Sequence, residues 1–262
     1  MQNESNIMTF RASDGNTVRL EHHQSLPSVA ALAKEYAKAG YPDRYVVFAE
    51  MQTAESAVGA SVSEASPEKG LFLSCILRPS IFPSQAGCLG ALSAVALASA
   101  LEEHTMKSMG IGWVSNVYCD GIKIGHTSVE GKLDSYASYE YLIVNFAVKL
   151  SEKKFSPRLT DMVRRIFEDG NLSIPTIMAK TVLNRFFAIY REIKNPAKHL
   201  NHYAAKFILS DKKIKYTENG KKKTVKVIGV NKSNLALVIE ARDGRRIDVT
   251  SPSSVILPAK IK

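Results

Sequence analysis

The sequence predicts an α+β protein in two parts, a mixed sheet with helices over residues 1–207 and a small all-β unit over residues 208–262. Three observations predict it. Strand-like and helix-like hydrophobic periods alternate along the first part. Beyond it only short strands recur, punctuated by Asn219-Gly220 and Asp243-Gly244, and such strands at a spacing of about 10 residues suggest a small barrel. The charge also breaks there. Residues 201–262 hold 14 Lys+Arg against 5 Asp+Glu, a balance of +9, whereas the first 200 hold 21 against 20. The break centres on Ile208–Lys212.

Each element has its own signal. The first twenty or so residues are polar and say little, except that Thr17–Glu21 alternates like a strand. Ser28–Ala39 is apolar at Val29, Leu32, Ala33 and Tyr36 and is stopped by Gly40 and Pro42, which predicts an amphipathic helix. Tyr45–Glu50 and Leu71–Leu77 are buried-type strands flanking a polar loop, Ala54–Gly70. Ser84–Met109, rich in Ala and Ser, predicts one long buried helix. Ile111–Tyr118 and Ile122–Val129 read as strands joined at Asp120-Gly121, a strong hairpin signal, with Tyr139–Leu150 as a third. Helices are predicted over Arg158–Asp169, Pro175–Ile193 and Pro196–Leu209. Lys213–Tyr216, Thr224–Val230, Leu235–Ala241 and Arg246–Thr250 are the short strands of the tail.

The composition bounds the function. With 262 residues, 45% hydrophobic and 23% charged, the chain is neither disordered nor a low-complexity scaffold. Its longest apolar run, Ala91–Leu101, falls short of the ~20 residues of a membrane span. No charged-then-apolar leader opens it, so a cytoplasmic protein is expected. Cys75, Cys88 and Cys119 are odd in number and scattered, as free thiols are, and no Cys/His spacing suits a metal. His22 and His23 are adjacent, so on a strand they point to opposite faces.

Four stretches resemble the biotin protein ligases, which share their catalytic fold with the lipoate ligases. Tyr45–Ala54 (YVVFAEMQTA) is similar to the family strand ending A-E-x-Q-T-A, and Gly70–Pro79 (GLFLSCILRP) to its G-L-x-x-S-x-x-L-R-P. Trp113–Glu130 sits where the family has W-P-N-D, a hairpin and K-x-x-G-x-x-x-E, and the basic tail matches its SH3-like barrel. The resemblance spans about residues 18–258. It implies a biotin/lipoate ligase-like domain followed by an SH3-like barrel. The implied reaction uses ATP and Mg to convert biotin to biotinyl-adenylate, which a carrier-protein lysine then attacks. Carried over position by position, Ser25, Gln52 and Lys123 would touch biotin, Lys123 as the catalytic cation at its carboxylate. Asn116 falls on the nucleotide side.

The departures are as specific as the matches. Where the family has G-R-G-R-x-G-R after Q-T-A, this chain has Glu55, Ser56, Ala57, Val58, Gly59, Ala60 and Ser61. Each arginine missing from that loop removes a charge-assisted hydrogen bond of about 1.5–3 kcal/mol. The family's Lys before Trp is Gly112, its Asp is Asn116, and its S-T-N reads Ser25, Leu26, Pro27. The glycine after the hairpin lysine is His126, and G-x-G-x-N reads Asn145 to Lys149. These changes support an alternative, a catalytically inactive ligase-like protein that binds a small carboxylate or a protein partner.

The same residues have plainer readings. Ser25 suits a helix cap, Gln52 a loop cap, Trp113 the core, His126 packing or the surface, and Lys123 a solvated hairpin. Lys221–Lys223 reads as a solvated hairpin tip, or as a contact to an acidic partner such as a biotin-carrier domain. Without interleaved aromatics, nucleic acid is the weaker partner. No DNA-binding helix-turn-helix and no membrane segment is expected, and the sequence leaves ligand, partner and oligomeric state, a homodimer included, open.

Overall fold

The computed structural model describes residues 6–53, 68–149, 173–218, 220–241, 243–257 and 260–261. Two sheets organise them. The larger holds β1 (Asn6–Arg11), β2 (Thr17–His23), β3 (Tyr45–Gln52), β4 (Glu68–Leu77), β5 (Met109–Gly112), β6 (Asn116–Cys119), β7 (Ile122–Leu133) and β8 (Tyr139–Lys149). Their order is β1-β2-β3-β4-β8-β7-β6-β5. Only β2 and β3 run parallel; the other pairs are antiparallel. The parallel pair needs a crossover, which α1 (Val29–Lys38) supplies.

α1 forms where the sequence predicts it. Ser28 is its N-cap, the Oγ accepting from Ala31 N at 3.3 Å, and Gly40 follows its end at φ 85°. The cap is therefore Ser28 and not Ser25. Val29, Ala33 and Ala37 pack against Val47, Ala49, Phe72, Ile76 and Ile143 on one face of the sheet.

The opposite face carries the main core. α3 (Leu89–Thr105) is buried along most of its length, and its alanines let it sit between the sheet and the later helices α4 (Ser173–Tyr190) and α5 (Ala197–Ala205). The one long helix expected over Ser84–Met109 is interrupted. A single turn, α2 (Pro83–Ala86), precedes α3, and Gly87 and Cys88 lie between them. The strand expected over Ile111–Tyr118 is likewise two strands, β5 and β6, turning at Trp113–Ser115. β1 pairs the edge of the sheet from a segment whose polar sequence carries little strand signal. The helix expected over 158–169 and the loop residues 54–67 lie outside the described residues.

Asp120 (φ 49°) and Gly121 (φ 74°) both take positive φ between β6 and β7, as a two-residue hairpin of the primed type demands. The three cysteines are free, with Cys75 and Cys119 buried. Burial pushes the thiols of all three up.

The second sheet contains β9 (Lys213–Glu218), β10 (Lys221–Val230), β11 (Leu237–Glu240), β12 (Arg246–Val249) and β13 (Val255–Ile256), in the order β12-β11-β10-β9-β13. Among the described residues its edges do not pair with each other, so it is an open antiparallel sheet where a closed barrel was expected. Ile214, Val225, Val227, Leu237, Ile239 and Val249 form its own apolar cluster. Trp113 reaches into that cluster from the β5–β6 turn, 3% exposed, and donates Nε1–H to Leu235 O at 2.7 Å. Ile111 N to Lys206 O (2.7 Å) ties β5 to the end of α5, and Ile261 N to Gly121 O (2.7 Å) ties the tail to the β6–β7 turn.

Candidate functional site

The α1 face of the large sheet is where polar side chains gather. Its geometry at the β6–β7 edge comes from a bulge. Val117 pairs with Gly125, but Tyr118 pairs with Lys123, so Ile124 is the extra residue. Ile124 belongs to the α3-side core, and a Cβ at Gly125 would touch Leu97 on that side. Lys123 and His126 consequently share the opposite face. His126 stands directly across from Asn116 on one side and Ala147 on the other, and Lys149 lies two residues beyond Ala147 on the same face.

The electrostatics follow from that placement. Burial, then the charges of Lys123 and Lys149, push the His126 imidazole down to about 4, so it is neutral at pH 7. Asn116 Nδ2 lies 3.4 Å from Trp113 O. A polar ladder continues across the strands: Ser74 Oγ donates to Asn145 Oδ1 at 2.6 Å, and Asn145 Nδ2 donates to Ser128 Oγ at 3.2 Å.

The other expected residues lie at the α1 end. Gln52 closes β3, where Leu26 N bonds Met51 O and Thr53 N bonds Leu26 O, both at 3.0 Å. Its Oε1 accepts from Val29 N at 2.9 Å and so satisfies an orphan donor of α1. Ser25 precedes Leu26 at this junction. The sheet thus brings Lys123, Asn116 and His126 together at one edge, and Ser25 and Gln52 together at the start of α1. In the strand order β4 and β8 lie between the two groups. Glu55–Ser61 lie outside the described residues.

One constellation escaped the sequence reading. Glu21, 4% exposed, accepts from Tyr45 OH (2.6 Å) at Oε2 and from His23 Nε2 (2.8 Å) and Tyr36 OH (3.3 Å) at Oε1. Burial and then the Glu21 charge push Tyr36 up to about 12, and burial with the Glu21 hydrogen bond raises Tyr45 further. His22 points the other way, stacked on Phe48 at 4.6 Å and bonded to Glu50 at 2.9 Å, as the alternation of adjacent strand residues requires. The alternation alone places Glu21 and His23 on the α1 face; the tyrosines come from α1 and β3, and no local pattern pairs them.

No family model and no curated relative matches this sequence. Solved structures do match. A mutant biotin protein ligase from Aquifex aeolicus, in complex with biotin, superposes with a TM-score of 0.67 at 19% identity, covering 91% of this chain and 97% of that chain. A biotin protein ligase-like protein of unknown function from Silicibacter gives 0.63 at 13% identity, covering 88% and 94%. The Leishmania major biotin protein ligase in complex with biotinyl-5-AMP gives 0.54 at 18% identity, covering 88% and 97%. Over about nine-tenths of its length the chain has the fold of the biotin protein ligases.

Proposed function

We propose that this chain binds a biotin-type carboxylic acid on the α1 face of the large sheet. Its reaction class is ATP-dependent formation of the acyl-adenylate, followed by transfer to a carrier-protein lysine. The observation that carries the reading is the β7 bulge, which brings His126, opposite Asn116, onto the face of Lys123, among groups of net positive charge. In this reading Lys123 holds the carboxylate and its adenylate, Ser25 and Gln52 line the rest of the acid, and Asn116 meets the nucleotide. Bound ATP with Mg supplies the leaving pyrophosphate. The ligase-like unit is residues 1–207, and residues 208–262 are an SH3-like appendage. Neighbours solved with biotin, with biotin and ATP, and with biotinyl-5-AMP support the substrate classes.

Catalysis is expected to be slow. The transition state gathers negative charge that preorganised donors must hold, and Glu55–Ser61 contains no cation. A loss of about 5 kcal/mol there is a rate drop of about 10³–10⁴. A second reading, a binding protein without adenylation, rests on the same cation-free loop, Glu55–Ser61. One experiment separates them: calorimetry with biotin, with and without ATP, alongside pyrophosphate release and transfer to a carrier domain. Binding lost in Lys123→Ala together with slow pyrophosphate release supports the ligase. Binding without pyrophosphate supports the second reading, and no binding of the acid overturns both.

A further inference from the structure

The lysine tract of the tail is part of a larger surface. Residues 211–226 carry seven lysines and two carboxylates. The register of β9 with β10 sets Lys213 opposite Lys226, Lys215 opposite Thr224 and Thr217 opposite Lys222. Ile214, Val225 and Val227 point into the apolar cluster, so these six side chains stand on the outer face, and all four lysines are exposed. Like charges directly opposite each other cost stability, and nothing about packing requires lysine there. Lys226 is paired with Asp211 at 2.7 Å and has Glu240 across from it on β11, and Lys215 reaches Thr224 at 2.8 Å. Lys213 and Lys222 make no side-chain hydrogen bond or ion pair among the described residues.

We propose that the outer face of the β9–β10 hairpin docks the phosphate backbone of duplex nucleic acid. Four features choose this occupant. Lysines two residues apart on a strand repeat at about 6.8 Å and those across the ladder at about 5 Å, a grid of point charges with threonine hydroxyls between, which suits phosphate oxygens. Protein interfaces are depleted in lysine and are anchored by aromatics and arginine, and none of the six side chains is either. Single strands need aromatic platforms for stacking, so the backbone of a duplex, read without base contacts, remains. Membrane surfaces call for apolar side chains that insert, and none of the six side chains of the grid is apolar.

The test is fluorescence anisotropy of the full chain with a labelled mixed-sequence DNA duplex and with the matching single strand. Duplex binding is expected to weaken roughly a hundredfold between 50 and 200 mM salt, as about four phosphate contacts require. Lys213→Gln and Lys222→Gln should each reduce the log–log salt slope by about 1. Lys213→Glu with Lys215→Glu and Lys222→Glu should abolish binding while thermal unfolding stays within a few degrees of wild type. No duplex binding at 50 mM salt, binding unchanged in the lysine variants, or tighter binding to poly-L-glutamate or phosphatidylserine vesicles than to the duplex would overturn the proposal. The proposed acyl-transfer site is untouched by these substitutions, so the two readings fail separately.

Discussion

The two faces of the large sheet are built from the same strands and do different work. The α3 face is apolar from Val18 through Val46, Leu73 and Phe146 to Val148, and α3 and α4 seal it. The α1 face is apolar only beneath α1, around Val47, Phe72 and Ile143. Either side of that it carries Glu21 with its three partners, the Ser74–Asn145–Ser128 ladder, and the group of Lys123, His126 and Lys149. Strand alternation makes this division possible, because neighbouring residues can serve the core and the site independently. One face secures the fold; on the other, among the described residues, α1 covers part of the width and polar groups lie beside it.

The sharpest way to break this comparison uses two adjacent residues of β8. Phe146 is 1% exposed and meets Phe186 edge-on at 5.4 Å between ring centres. Phe146→Ala should cost about 3–5 kcal/mol, the forfeited transfer energy plus a cavity. Asn145→Ala, one residue away on the other face, removes the ladder and leaves Ser74 Oγ unpaired, for about 1–2 kcal/mol. Urea denaturation of both variants measures the difference, and equal losses would show that the α1 face is as much core as its opposite.

The second prediction tests the electropositive edge. His126 sits at about 4 in the folded protein and near 6.5 unfolded. Between those values the unfolded chain binds a proton that the native state does not, so stability falls as pH is lowered through this window. Between pH 7 and pH 5 the loss attributable to His126 is about 2 kcal/mol. His126→Asn should remove it, and Lys123→Ala should shrink it, because one of the two cations acting on the imidazole is gone. Urea midpoints at the two pH values check this. Identical slopes in wild type and His126→Asn would place the imidazole outside the field of the lysines.

How much of this was legible in the sequence differs between the faces. The α3 face was, because its runs, such as Leu71–Leu77 and the Ala-rich helix, are continuous and long. Among the described residues the order of the expected strands and helices followed, as did α1 and the Asp120-Gly121 hairpin. The breaks were not: nothing local tells that Gly87 and Cys88 interrupt a helical pattern, or that Trp113 turns the chain between β5 and β6. Trp113 turns there because its ring belongs to the second sheet's cluster, bonded to a residue 122 positions away along the chain. The α1 face was legible only through resemblance. Lys123 and Asn116 are unremarkable by residue type, and the one-residue bulge that aligns Lys123 with His126 depends on Val117 pairing across the hairpin. Ser25, by contrast, is not the cap of α1; three positions on, Ser28 combines the extended backbone with an Oγ in reach of Ala31 N.

The smallest expected effect separates two roles of Gln52. Its Oε1 takes the Val29 N–H of α1, while its Nε2 makes no hydrogen bond among the described residues. Gln52→Glu keeps an acceptor at that place and adds negative charge at the helix N-terminus, which is worth about 0.3–1 kcal/mol in the helix's favour. Gln52→Ala loses the acceptor and should cost about 1 kcal/mol. If Nε2 also faces a bound acid, the glutamate variant replaces a donor with a carboxylate next to another carboxylate. Gln52→Glu should then unfold at or slightly above the wild-type temperature yet bind biotin at least tenfold more weakly by calorimetry. Unchanged affinity in that variant would leave Gln52 a helix cap alone and confine the acid to the Lys123 edge of the sheet.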